Sequence, residues 1–69
     1  MIVCDAKSAR AWLAAWGPRA FALGRADRLA VDMERCASIL SFAGQRADAA
    51  DYRAAAAVVR DAQKKSAAG

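Results

Sequence analysis

The sequence has no histidine, and it contains only two cysteines, one proline and no long apolar run. Histidine is the usual proton carrier near neutral pH and the commonest metal ligand, so its absence removes the most frequent routes to catalysis and metal binding. Cys4 and Cys36 are too few for a disulfide framework or a four-cysteine zinc site. No apolar run approaches the roughly 18 residues of a membrane span. We therefore expect no catalytic site, no metal, no cofactor and no membrane segment.

The first residues carry neither a basic region nor the apolar stretch of a signal peptide, so we expect no secretory leader. A chain without a leader stays in a reducing compartment, where cysteines remain thiols. The sequence therefore predicts a cytoplasmic protein with Cys4 and Cys36 reduced.

Size and charge favour contact with a partner. A domain of 69 residues buries only about 60% of its unfolded surface, so binding or self-association would add needed stability. Of the residues, 21 are alanine, and the formal net charge is +4. Eight of the eleven positive residues are arginine, which prefers carboxylates and phosphates. We expect a partner with an acidic surface.

The first predicted helix starts at Asp5, a good N-cap residue, and ends at Gly17-Pro18. Trp12 and Trp16 lie on its apolar stripe, which predicts that both indoles pack in the core. The alternative is that a partly exposed Trp16 serves as a binding anchor. Residues 1–4 form a short extended lead against the helices.

Gly24 allows two interpretations of the next segment. Pro18 can open a short helical turn that ends near Leu23, with Gly24 in a left-handed cap. Alternatively, a helix from Pro18 carries Gly24 inside, at about 1 kcal/mol relative to alanine. The break is favoured because Leu23 would lie off the apolar stripe of a continuous helix.

The second main helix is expected over residues 27–43, with Asp27 as cap and Gly44 after its end. Its main seam follows spacings of 4, 3, 4 and 3 through Leu29, Met33, Cys36, Leu40 and Ala43. A second apolar stripe combines Val31, Ile39 and Phe42 with Arg28 and Arg35. This stripe either packs against the first helix, with arginine stems over the seam, or binds a partner, since arginine and aromatic residues are enriched in binding hot spots.

The third helix is expected over residues 48–65, with Asp48 and Asp51 as a capping pair and 66–69 as a frayed tail. Arg53, Arg60 and Lys64 fall within an arc of roughly 40°. Arg46 would join this row if the helix began earlier. One interpretation is that the row binds phosphates or an acidic protein face. The other is that it is a solvated helix flank that keeps the protein soluble.

These elements predict one all-α domain over residues 1–69, a small three-helix bundle. The central helix, about 27–43, pairs as an antiparallel hairpin with the helix of about 48–65. The first helix is expected on the opposite flank of the central helix.

The function that the sequence favours is a non-enzymatic helical protein-binding module. The predicted partner-binding residues are Arg28, Val31, Arg35, Phe42, Arg53, Arg60 and Lys64. The partner would be a larger protein or nucleoprotein complex with an acidic surface, on the scale of phage or mobile-element accessory proteins and inhibitors. The alternatives are nucleic-acid binding without sequence preference through the basic row, and self-association as a homodimer.

Overall fold

The computed structural model describes residues 2–68, with no side chain described for residue 68. Met1 in the predicted lead and Gly69 in the predicted tail lie outside that range. Four helices follow in order, α1 (Ala6–Trp16), α2 (Arg19–Ala22), α3 (Arg25–Phe42) and α4 (Arg46–Ala68). The predicted all-α fold and the hairpin of the two long helices are confirmed. No helix in the described range is both long and apolar enough to cross a bilayer.

Asp5 caps α1, as predicted from its position before the first apolar repeat. Its carboxylate accepts hydrogen bonds from the backbone N–H of Ser8 at 2.8 Å and from the Ser8 hydroxyl at 2.7 Å. The Ser8 hydroxyl oxygen accepts the Asp5 backbone N–H in return, which completes a capping box. Gly17, with φ of 61°, ends the helix where the Gly-Pro pair predicted.

Gly24 separates α2 from α3 with a φ of 69°, so the alternative of a continuous helix from Pro18 is wrong. The prediction that Asp27 caps the next helix is also wrong, because α3 already begins at Arg25. Gly24 is the N-cap residue, and its carbonyl accepts the Arg28 N–H at 3.2 Å. Asp27 lies inside the first turn, where a carboxylate suits the positive end of the helix dipole.

The start and end of α4 differ from the prediction. The helix begins at Arg46, so Asp48 lies in its first turn rather than at its cap. Gly44, with φ of 84°, reverses the chain at once, and the Gln45 carbonyl accepts the Ala49 N–H at 2.9 Å. The helix also continues to residue 68, beyond the predicted end at 65, because nothing in its alanine-rich last turns breaks it.

Small side chains make the core. Val59 is the largest side chain that is fully buried, and Ala9, Ala26, Ala30 and Ala55 are fully buried around it. On α3 the buried stripe consists of Ala26, Ala30, Met33 and Ala37. In the predicted seam Met33 alone is buried, whereas Leu29, Cys36 and Leu40 are half-buried and Ala43 is exposed. Alanine lets two helices approach closely, and the larger side chains then flank the line of contact.

The predicted position of the first helix is wrong. α1 packs mainly on α4, so α4, not α3, is the middle helix of the bundle. Leu13 of α1 and Val58 and Ala62 of α4 line the groove between them. Val3 is buried in the same core, which agrees with the prediction that the N-terminal lead lies against the helices. The consequence is that, among the described helices, none covers Ile39 and Phe42 on the side of α3 that faces away from α4.

Candidate docking surface

The outer face of α3 carries the second apolar stripe and its two arginines, namely Arg28, Val31, Arg35, Ile39 and Phe42. At about 100° per residue these side chains span an arc of roughly 80° centred opposite the buried alanines. Phe42 is 98% exposed and Ile39 is 68% exposed, while Val31 is partly buried. The expectation that this stripe packs against the first helix is therefore wrong. The hydrophobic side chains of the outer face contribute little to the fold.

Arg28 and Arg35 lie two turns apart on this outer face. Both are exposed, and neither forms an ion pair within residues 2–68. An open groove of about 440 Å³ follows the same face and is lined by Val31, Glu34, Arg35, Ser38 and Ile39. We call it the outer groove. It offers an aliphatic wall with a guanidinium at its edge.

The basic row on α4 is not the uniform strip that the sequence predicted. Arg60 Nη1 donates to Asp27 Oδ1 at 2.7 Å, and Nη2 donates to Glu34 Oε1 at 3.0 Å. These hydrogen bonds, first to Asp27 and then to Glu34, raise the pKa of Arg60. Two carboxylates of α3 thus compensate its charge, and Arg60 ties the two long helices together. Arg53 and Lys64 remain exposed beside it.

Arg46 belongs to the same row, because α4 begins early enough to include it. At about 100° per residue Arg46 and Lys64 lie within roughly 20° of Arg53. All three side chains are exposed. The row available to a partner is therefore Arg46, Arg53 and Lys64, with Arg60 set into the helix–helix contact.

The structure brings the two predicted sites together on one side of the hairpin. A second groove of about 370 Å³, the hairpin groove, is lined by Arg53, Ala56, Ala57 and Arg60 of α4 and by Glu34 and Ser38 of α3. Glu34 and Ser38 also line the outer groove, so they form the ridge between the two. Sequence reasoning missed this ridge, because the Arg60 contact that positions Glu34 joins residues 26 apart in the chain.

The two indoles form a separate cluster at the end of α1. The ring centroids of Trp12 and Trp16 are 5.6 Å apart with a tilt of 30°, and the Arg25 guanidinium lies 5.9 Å from the Trp16 ring centroid. Both tryptophans are half-buried and pack against the core. This supports their predicted structural role. The cation–π contact also ties the start of α3 to α1.

The cysteines and the remaining carboxylates form no compact cluster. Cys4 is exposed and Cys36 is half-buried, and both are free thiols. Cys4 lines a groove of about 310 Å³ together with Leu40, Asp48, Asp51 and the half-buried Tyr52. Across residues 2–68, no three potential ligands of the cysteine, aspartate and glutamate type come together as a metal site would need.

Comparison of the chain with family models, with curated proteins and with solved structures gives no match. The functional interpretation therefore depends on the chain's own side chains. Among them, the fully exposed phenylalanine on the outer face of α3 is the most informative.

Proposed function

We propose that this chain is a non-enzymatic protein-binding module that docks on a larger protein through the outer face of α3. The observation that carries the proposal is the exposure of Phe42 and Ile39 on one helix face, opposite the core. Contiguous exposed apolar side chains rimmed by polar ones mark protein-interaction sites. A partner that covers Phe42 would remove from water an aromatic ring that the fold leaves uncovered.

Arginine sets the expected chemistry of the partner. Arg28 and Arg35 place guanidinium groups beside the apolar stripe, and arginine with aromatic residues is the composition enriched in binding hot spots. The net charge of +4 speeds encounter with an acidic protein surface. The partner is therefore a protein, or the protein part of a nucleoprotein complex, with carboxylates around an apolar recess.

Nucleic-acid binding is the weaker alternative. Phosphate binding depends on uncompensated positive charges, and Asp27 and Glu34 compensate Arg60 in the middle of the row. A phosphate backbone also offers nothing to cover Phe42. The size of the chain suits a cytoplasmic accessory protein or inhibitor, of phage or mobile-element origin, that acts by covering part of a larger host complex.

Substitution of Phe42 by alanine tests the proposal. Because Phe42 is 98% exposed, Phe42→Ala should leave the thermal midpoint within a few degrees of the wild type. Affinity capture from the native host should lose the partner with Phe42→Ala and with Arg35→Glu. Leu23→Ala is the matched control, since Leu23 is 63% exposed and follows α2 rather than belonging to the outer face of α3.

The proposal fails if the same partner is recovered in equal amount with Phe42→Ala and with Leu23→Ala. Retention on duplex DNA at low salt, lost with Arg53→Glu but not with Phe42→Ala, would favour the nucleic-acid alternative. A dimer in light scattering that dissociates with Phe42→Ala would show that a second copy covers this face.

A further inference from the structure

The outer groove and the hairpin groove run side by side along α3, separated only by Glu34 and Ser38. The outer face extends from Arg28 to Phe42, fifteen residues whose first and last Cα atoms are about 21 Å apart along the helix. An elongated, open surface of this length with an apolar wall is the kind that accepts an amphipathic helix.

Positive charge lies on both of the helices that form this surface. Arg28 and Arg35 belong to α3, and Arg53 lines the hairpin groove on α4, with Arg46 and Lys64 in line with it. Arg60 holds the Glu34 carboxylate at 3.0 Å and also binds Asp27, so it offsets part of the negative charge on the ridge between the grooves. The outer face is therefore an apolar stripe that carries two arginines of its own, with a second basic row across the hairpin groove.

We infer that the partner presents an acidic amphipathic helix that lies along α3 and contacts both grooves. Its apolar residues, spaced three and four apart, cover Val31, Ile39 and Phe42. Carboxylates on one flank of that helix pair with Arg35, and those on the other flank pair with Arg53. This inference rests on the proposed function and adds the shape and charge pattern of the partner.

A second copy of the chain fits this surface poorly. Each copy carries a net charge of +4, and a symmetric contact between two outer faces would bring arginines toward arginines. The carboxylates that flank the outer face are Asp32 and Glu34, and Arg60 already pairs with Glu34, so they are too few to neutralise two facing pairs of arginines. Charge complementarity therefore selects an acidic partner.

A labelled synthetic peptide of about 18 residues tests the inference by fluorescence anisotropy with the full chain. The peptide carries leucines at helical positions i, i+3, i+4 and i+7 and glutamates on both flanks. One control peptide has the same composition in scrambled order, and a second has lysine in place of glutamate. The glutamate peptide should bind best, and its affinity should fall as salt rises.

Substitutions on the protein then locate the bound helix. Arg35→Glu and Arg53→Glu should each weaken peptide binding by about three- to tenfold, as expected for exposed charge pairs at the rim of an interface. Arg10→Glu is the matched control, because Arg10 is an exposed arginine that lines the separate groove between α1 and α4. Phe42→Ala should also weaken binding, because the contact is apolar as well as charged.

Three results would overturn the inference. The glutamate peptide could bind no better than the scrambled peptide, Phe42→Ala could leave peptide binding unchanged, or Arg53→Glu could behave like Arg10→Glu. None of these results changes the interpretation of the capture experiment. Loss of the native partner with Phe42→Ala would still support docking through α3. Failure of that capture experiment, by contrast, removes the proposed function itself.

Discussion

The contact between Asp5 and Ser8 shows how one pair of side chains fixes the start of a helix. The Ser8 backbone N–H donates to the Asp5 carboxylate, and the Ser8 hydroxyl donates to it as well. These hydrogen bonds favour the ionised carboxylate, so the backbone N–H first and the hydroxyl second lower the pKa of Asp5. The same hydroxyl oxygen accepts the Cys4 N–H at 3.0 Å, which directs the N-terminal lead into α1.

Stability should depend on the ionisation of Asp5. Because its pKa is lower in the folded chain than in the unfolded chain, the stabilisation is complete above the ordinary pKa of about 3.8. It is lost as the pH falls through the lower, folded value. Asp5→Asn keeps a good N-cap without a titrating carboxyl, so its urea midpoint should fall less between about pH 5 and pH 2.

Comparison of Asp5→Asn with the wild type at each pH separates the effect of Asp5 on stability from the effects of the other carboxyl groups. Asp32→Asn is the control, because Asp32 is exposed and accepts no side-chain hydrogen bond within the described residues. If Asp5→Asn and wild type lose stability in parallel over this range, the capping carboxylate does not act as the structure indicates.

At the scale of elements, Gly24 sets the angle between α2 and α3. Its φ of 69° lies in the left-handed region, and an added Cβ would meet no heavy atom within 4 Å. Any cost of substitution there comes from the backbone conformation and not from a clash. The break was predictable, because Leu23 would lie off the apolar stripe of a continuous helix.

Gly24→Ala should lower the free energy of unfolding by about 1 kcal/mol or slightly more, since alanine is disfavoured at positive φ. Gly24→Asn should cost less, because asparagine adopts the left-handed conformation more readily. Urea denaturation of the two variants measures the difference. Equal stability of wild type and Gly24→Ala would show that the chain does not need a left-handed residue here.

The limits of sequence reasoning are clearest on α3 and α4. The periodic pattern gave α3 two apolar stripes, and periodicity alone does not say which one is buried. In the structure the alanine face of α3 is buried, because Ala26, Ala30 and Ala37 permit a closer helix contact than the leucine seam does. Arg60 was predicted in an outward row, but its partners Asp27 and Glu34 are 33 and 26 residues away, beyond any local pattern.

For the molecule as a whole, α4 lies between α3 and α1, and the interior consists mostly of methyl groups. The sequence predicted the three longer helices and the hairpin of the last two, because turn residues and apolar spacing are local signals. It did not predict which helix lies in the middle, because that depends on how alanine faces pair across the chain.

A core of this kind should tolerate enlargement poorly. Ala30→Leu adds three carbons at a fully buried position in the core, so it should cost about 1–3 kcal/mol in the free energy of unfolding. Ala50→Leu is the control, because Ala50 is exposed on α4 and its substitution should change stability by less than about 0.5 kcal/mol. Urea denaturation followed by circular dichroism measures both, and equal midpoints would argue against a tightly packed alanine interior.

The separation between the buried alanines of α3 and its exposed Ile39 and Phe42 also bears on how such a protein evolves. On α3, the residues that pack in the core and the residues that are exposed to solvent occupy different positions. Mutations on the exposed side can then accumulate without loss of folding, so one scaffold can be redirected from one target to another as that target changes.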